Sequence, residues 1–414
     1  MQTKIHPSLI DSPIVQEAES ILRSCVHCGF CNAVCPTYQI LGDELDGPRG
    51  RIYLIKNLLE DNAIAIEANQ HLDRCLTCRS CETSCPSGVQ YGRLIDIARG
   101  LIKVKSPWFY RVKSYFIRKI VPQRHLFSTL VTLGRLCLPL IPHVLAKHIP
   151  PRVQPSNIPM VSKSDNCEGV LLLTGCVQNI ATPNVNQSIA YLLDSLKVDV
   201  NYLENEGCCG ALEYHLSAHD AGIEKMKKLV LRLHEQLHDN FWIISSASGC
   251  GVTIKDYPTI LQYETDIIAK AQEVADRVLD IGEYLSRFPN LLSANEAEGC
   301  QAEKLKVAVH TPCTLQHGQN LSELIKPLLR AEHIEFVDVK EGHICCGSAG
   351  SYSIMQPEIS AELTQRKVSA LELHKPDTIV TANIGCQLTL QSHSDVRVMH
   401  WVEFLAEQVL MTKN

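Results

Sequence analysis

The sequence predicts an α+β/α/β multidomain chain: a helical N-terminal domain organised by a repeated cysteine motif, followed by two duplicated α/β units. Three observations predict it. A four-cysteine motif occurs twice before residue 90, a longer four-cysteine pattern recurs across the second half, and a stretch free of acidic residues separates the two. With 414 residues there is room for two or three domains, and 45% hydrophobic with 20% charged residues is an ordinary globular composition. The expected divisions are 14–96, 97–165, 166–300 and 301–414.

The N-terminal repeat reads Cys25-Val-His-Cys28-Gly-Phe-Cys31-Asn-Ala-Val-Cys35-Pro36, then Cys75-Leu-Thr-Cys78-Arg-Ser-Cys81-Glu-Thr-Ser-Cys85-Pro86. Every cysteine and the proline recur at an offset of 50. This is C-x2-C-x2-C-x3-C-P twice, the run of bacterial two-cluster ferredoxins, so a ferredoxin-like domain with two [4Fe–4S] clusters is expected. Three cysteines three apart on a tight turn aim their sulfurs at three corners of one iron cube. The fourth projects the other way, and the proline stops a regular hydrogen-bonded element from continuing there. In such ferredoxins the fourth cysteine ligates the other cluster. The expected ligand sets are therefore Cys25, Cys28, Cys31 and Cys85 for one cluster, and Cys75, Cys78, Cys81 and Cys35 for the second. Zinc also takes C-x2-C pairs, but the twofold C-x2-C-x2-C-x3-C-P order argues against two zinc knuckles.

The second repeat is longer. Cys176, Cys208-Cys209-Gly210 and Cys250 are matched by Cys313, Cys345-Cys346-Gly347 and Cys386, at offsets of 137, 137 and 136. An apolar strand (169–173; 305–309) leads into the first cysteine, and a third apolar run (241–245; 378–382) ends before the last. Between them lies a long amphipathic helix, 221–238 or 357–374. Strands alternating with helices, with cysteines at the strand ends, imply α/β units whose sites lie at the carboxyl edge of a parallel sheet. Duplication follows from the register. Whether these eight cysteines hold a metal or cluster, or serve as structural or redox-active thiols, the spacing leaves open.

The connector stands apart electrostatically. From Ile97 to Ser164 there is no Asp or Glu but twelve Lys or Arg, which leaves 27 basic against 45 acidic residues elsewhere. A solvated linker is one reading, and a docking surface for an acidic partner or an anionic membrane face is the other. The first residues lack the apolar core of an export signal, and no apolar run approaches the ~20 residues of a membrane span. The most lipid-like segment, 126–145, is interrupted by Arg135, Pro139 and Pro142. A cytoplasmic protein is expected, with peripheral contact on the inner face of the cytoplasmic membrane available to the basic segment. In a reducing compartment, 19 cysteines read as metal ligands more readily than as disulfides.

On these motifs the chain resembles the iron–sulfur subunits of flavin-linked 2-hydroxy-acid and glycerol-phosphate dehydrogenases and of heterodisulfide reductases. Within that group it is most similar to the glycolate oxidase (glycolate dehydrogenase) iron–sulfur subunits. Strings that carry the resemblance include 41–55, Leu-Gly-Asp-Glu-Leu-Asp-Gly-Pro-Arg-Gly-Arg-Ile-Tyr-Leu-Ile, together with Leu72 to Cys78, Cys313 to His317, Cys345 to Gly350 and Thr381 to Cys386. The resemblance implies a separate FAD-carrying subunit that oxidises glycolate to glyoxylate, with electrons leaving through this chain to a quinone or another acceptor. No Gly-x-Gly-x-x-Gly opens a helix after a strand, so no dinucleotide fold is expected here and no catalytic residue is assigned. One departure matters: relatives with non-cubane clusters carry Cys-x-x-Cys last, where this chain has Thr253 after Cys250 and Thr389 after Cys386.

Other readings remain at this point. The relay could serve lactate or glycerol 3-phosphate, act as a heterodisulfide reductase-like subunit, or be an iron–sulfur redox sensor or scaffold; no nucleic-acid partner is expected. Cys137, Cys167 and Cys300 belong to neither repeat and read as incidental. His310 and His343 read as polar neighbours of the cysteines, with a Rieske-like ligand role as the alternative. Arg49 and Arg51 fit an acidic partner surface, a tuning charge, or a helix-start salt bridge. His27 and Phe30 are expected around the first cluster, one donating a hydrogen bond and the other excluding water.

Overall fold

A computed structural model describes residues 1–61, 66–102, 107–140, 149–160, 169–203, 205–237, 241–288 and 304–413. Its N-terminal part is helical. Pro13 opens the helix Pro13–Ser24, where a proline's missing N–H is least missed. Val15, Ala18 and Leu22 recur on one face of that helix and are wholly buried. They meet Ile55 and Leu59 of the helix Pro48–Asp61 and Leu94, Ile95 and Ala98 of the helix Tyr91–Leu101. Between these three helices hang the two cysteine loops.

Each loop turns back on itself through left-handed residues. In the first these are His27 (φ 57°) and Gly29 (φ 82°), and in the second Thr77 (φ 53°) and Arg79 (φ 62°). Three of the four carry a Cβ, so each costs about 1–2 kcal/mol of backbone strain that the surroundings must hold. The two prolines differ from the simple expectation of a chain stop. Pro36 ends one regular turn but is the first residue of a new helix, Pro36–Leu41, with Cys35 at its N-cap; Pro86 lies in a turn.

The second half holds two parallel four-stranded sheets of the same order. The first is β2-β1-β3-β4, with β1 Gly169–Leu173, β2 Asp199–Tyr202, β3 Trp242–Ser245 and β4 Val278–Asp280. The second is β6-β5-β7-β8, with β5 Leu305–His310, β6 Ile334–Phe336, β7 Thr378–Thr381 and β8 Arg397–His400. The inner strands match the apolar runs of the sequence to within a residue, whereas β4 and β8 were not expected. All pairings are parallel, and the strand order switches sides between β1 and β3, and again between β5 and β7. That switch opens a crevice at the carboxyl edge of each sheet.

The two sheets share a core in which the helices Pro183–Ser195 and Trp401–Lys413 pack together, burying Ile189, Leu192, Trp401 and Leu405. Ser248 bridges the units by its side chain, 2.7 Å from the Thr314 hydroxyl and 3.1 Å from Asn383 Nδ2. Both units also grip the N-terminal domain. Arg79 pairs with Asp256, Arg93 donates to the Tyr214 hydroxyl at 2.8 Å, and the Tyr352 hydroxyl donates to the Arg74 carbonyl at 2.8 Å. The described connector comprises two exposed helices, Trp108–Ile120 and Arg124–Leu136, which bury only Ser114, Ile117 and Val131.

Candidate metal centres

Two adjacent cavities lie between the N-terminal helices. The first is lined by Cys25, Cys28, Cys31 and Cys85, with Cys81 at its inner wall. The second is lined by Cys35, Cys75, Cys78 and Cys81. Each thus gathers three cysteines of one motif and the fourth of the other. Four or more thiols converge on each, which marks them as donor sites and not packing defects. Pro48, Cys81 and Tyr91 line both and form the partition.

The donor set suits a cubane cluster. Burial, with the charge of Cys25 added, pushes the Cys31 thiol up to about 11. Burial also raises Cys78 and Cys81 well above the ordinary thiol range. Thiols this crowded ionise together only around a cation, which four irons supply.

The surroundings of the two cavities differ. Cys28 is exposed, and Val26 and Phe30 beside it are 67% and 62% exposed. Phe30 lines the first cavity but leaves its outer face in solvent, so it forms a wall and does not seal the site from water. Arg49 is half-exposed and paired with Glu44 at 2.6 Å.

Arg51 corrects one expectation: it is 1% exposed and offers nothing to a partner. Its guanidinium reaches Thr37 Oγ1 at 3.0 Å, the His71 carbonyl at 2.6 Å, Asp46 at 3.4 Å and Cys35 Sγ at 4.0 Å. Arg99, which the motifs did not single out, is also buried and donates to the carbonyls of Leu72 and Cys75 at 2.9 and 2.8 Å. Two buried cations therefore flank the second cavity.

The duplicated units bring together the cysteines they were expected to. In the first, Cys176, Cys208, Cys209 and Cys250 form a connected row, with Cys209 donating to Cys250 at 3.6 Å. Hydrogen bonds from Cys176 and Cys209 hold Cys208 well below the usual thiol range. Glu206 accepts from Thr174 N and Oγ1 and from Gly175 N at 2.7–3.1 Å, fixing the loop before Cys176. In the second unit Cys313 donates to Cys345 at 4.0 Å, and Cys346 reaches Cys386.

The glycine of each Cys-Cys-Gly has a steric reason. Gly210 and Gly347 have φ of 81° and 85°, and a Cβ there would come within 2.7 and 2.6 Å of carbonyl oxygens on the following long helices. His310 is 3% exposed, and its Nδ1 meets Thr381 Oγ1 at 2.8 Å. Burial lowers its pKa to about 3, so the ring is neutral. Cys137 is exposed, while Cys167 and Cys300 lie outside the described residues.

The second unit covers the second cysteine loop. Leu76 packs in one cluster with Ile344, Cys345, Tyr352 and Leu363, and Cys78 and Cys313 lie against it. Thr83 Oγ1 is 3.0 Å from His317 Nδ1, and His317 Nε2 donates to the His343 carbonyl at 3.1 Å.

Known proteins share this organisation. Residues 21–89 match the 4Fe-4S dicluster domain family, and residues 170–255 and 307–391 each match the cysteine-rich domain family. The glycolate oxidase iron-sulfur subunit of Escherichia coli (strain K12) is 40% identical over 422 residues, covering 99% of each chain. A probable glycolate oxidase iron-sulfur subunit of Bacillus subtilis (strain 168) is 27% identical over 94% of each chain. Lactate utilization protein A of Bacillus licheniformis is 26% identical over 57% of this chain and 98% of its own length.

Proposed function

The chain belongs to the family of the glycolate oxidase iron–sulfur subunit, and from that membership we propose that it is the electron-transfer subunit of a flavin-dependent glycolate dehydrogenase complex. The flavin and the oxidation of glycolate to glyoxylate reside on a partner subunit; this chain carries electrons onward to a quinone or another acceptor. Bound clusters supply one-electron steps between a two-electron donor and its acceptor. The observation that carries the reading is the pair of abutting cavities, one lined by Cys25, Cys28 and Cys31 with Cys81 and Cys85 of the other motif, the other by Cys75, Cys78 and Cys81 with Cys35. It supports Cys25, Cys28, Cys31 and Cys85 as one ligand set and Cys75, Cys78, Cys81 and Cys35 as the other.

The chain's own residues do the positioning. The helices Pro13–Ser24, Pro48–Asp61 and Tyr91–Leu101 hold the two loops back to back, and Tyr91 keeps water out of the partition. The exposed loop around Cys28, with Val26 and Phe30, is suited to meet the FAD-carrying subunit. The connector is suited to a membrane surface. Trp108, Phe109, Val112, Tyr115 and Phe116 form one exposed stripe beside Arg111, Lys113 and Lys119, and Leu126, Leu130 and Leu133 form another. Among the described residues no helix is long and apolar enough to cross a membrane.

The decisive experiment purifies the complex anaerobically, assays iron and labile sulfide, and follows cluster reduction by EPR after glycolate is added. Reduction by glycolate is expected in the intact protein and absent in Cys28→Ser and Cys78→Ser; turnover retained in both variants favours a sensor or scaffold. A second reading, the same relay for lactate, draws on the similarity to lactate utilization protein A. Faster reduction by lactate than by glycolate would select it.

A further inference from the structure

The two duplicated units repeat their cysteines in register, but not the residue three positions before the first one. Leu173 stands there in the first unit and His310 in the second. His310 ends β5, and a ring nitrogen of His310 lies with the sulfurs of Cys346 and Cys386 so that all three atoms are within 4.8 Å of one another. All three residues are buried. Cys346 adjoins Cys345, which in turn meets Cys313 at 4.0 Å, so five soft or borderline donors from three loops converge at the carboxyl edge of one sheet. We infer that the second unit holds an iron–sulfur centre of its own, ligated by its cysteines and by His310, and that the first unit has no such nitrogen ligand.

Three features of the surroundings carry this beyond proximity. Thr381 Oγ1 engages His310 Nδ1 at 2.8 Å, and a partner on one ring nitrogen orients the other towards a metal. Thiolate with imidazole is a donor set for iron–sulfur chemistry or zinc, and it excludes magnesium or calcium. Lys367 is 2% exposed, held by the carbonyls of Glu341 and Gly342 at 2.7 and 3.4 Å, and its charge acts on Cys345, Cys346 and Cys386. A buried ammonium beside three thiols offsets the negative charge that a thiolate-ligated centre would carry.

Position gives the choice between iron and zinc. Cys78 of the second cysteine loop packs in the same apolar cluster as Cys345 and Cys313, and Cys313 lies near enough for its charge to act on the Cys78 thiol. A zinc ion there would be redox-silent at the inner end of the chain's cofactor sites. An iron–sulfur centre extends them. The inference rests on the electron-transfer reading, and a neutral imidazole in place of a fifth thiolate raises the potential of such a centre.

The test uses the full chain in its complex, purified anaerobically. Iron and sulfide are expected above the about eight of each that two cubanes account for. After reduction, electron–nuclear double resonance is expected to show a strongly coupled nitrogen. His310→Cys should keep the extra iron, lose that coupling and lower the midpoint potential. His310→Ala should lose the extra iron and leave the cubane signals in place. Iron limited to eight, zinc in the second unit, no nitrogen coupling in the intact protein, or coupling that persists in His310→Cys would each overturn the inference. None of these outcomes touches glycolate-driven reduction of the two cubanes, so failure here is distinguishable from failure of the electron-transfer role.

Discussion

The loops Cys25–Cys31 and Cys75–Cys81 are copies of one motif set in opposite surroundings. The first faces solvent through Val26, Cys28 and Phe30, with one half-exposed guanidinium, Arg49, at its edge. The second lies under Ile344, Cys345 and Tyr352 of the second unit, with Arg51 and Arg99 buried against it. The motif therefore sets which atoms can be ligands, while burial and charge set what each site does. An exposed site is open to a partner; a buried site with cations beside it favours the more negative, reduced form of whatever it binds.

Several changes would break or sharpen this contrast. Cys78→Ser is expected to abolish glycolate-driven reduction of the acceptor and to loosen the contact with the second unit, seen as faster hydrogen exchange in residues 344–352. Cys28→Ser should also abolish reduction but leave that exchange unchanged. Next in size is Arg51→Met, which removes one partner from a buried pair at 3.4 Å and is expected to cost about 3 kcal/mol in denaturant unfolding. The same variant should lower the midpoint potential of the second site and leave the first where it was. Loss of the equivalent charge at Arg49 should do neither.

The exposed connector is expected to respond less. Trp108→Ser with Phe116→Ser should weaken flotation with anionic vesicles roughly tenfold or more, since each large apolar side chain withdrawn from water is worth about 1.5–3 kcal/mol. Binding that is unchanged on vesicles, together with loss of the flavoprotein subunit on gel filtration, would reassign that face to the partner. The smallest effect on stability belongs to the outer loop. Val26→Ser and Phe30→Ser should shift unfolding by less than about 0.5 kcal/mol. They should nevertheless slow reduction by the flavin subunit, while reduction by dithionite stays the same.

Much of this organisation was legible in the sequence, for identifiable reasons. Cysteines repeat at fixed offsets, and inner strands such as 169–173 are continuous apolar runs because parallel strands are buried on both faces. The outer strands β4 and β8 were not legible: at three and four residues, Val278–Asp280 and Arg397–His400 gain strand geometry from pairing with β3 and β7. Nor was the environment of Arg51 and Arg99, since charged residues are rarely fully buried and nothing local marks those that are. The apposition of Cys78 to Cys313 and Cys345 joins residues more than 230 positions apart, which no local pattern encodes. His310 was visible as a histidine near a cysteine; its distance to Cys346 and Cys386 was not.

The covering of Cys78 also has a consequence for biogenesis. A carrier that delivers iron and sulfide needs access to the thiols it loads. Once Tyr352 has closed onto the Arg74 carbonyl and the second unit has settled over Leu76, the inner loop is approached past that unit, with Cys78 half-buried. The outer loop stays accessible at Cys28. The fold therefore leads us to expect an order of maturation, the inner site filled before the second unit docks and the outer one at any time afterwards. Chains that close early are expected to carry the outer site alone, which iron assays on chains reconstituted after folding would check.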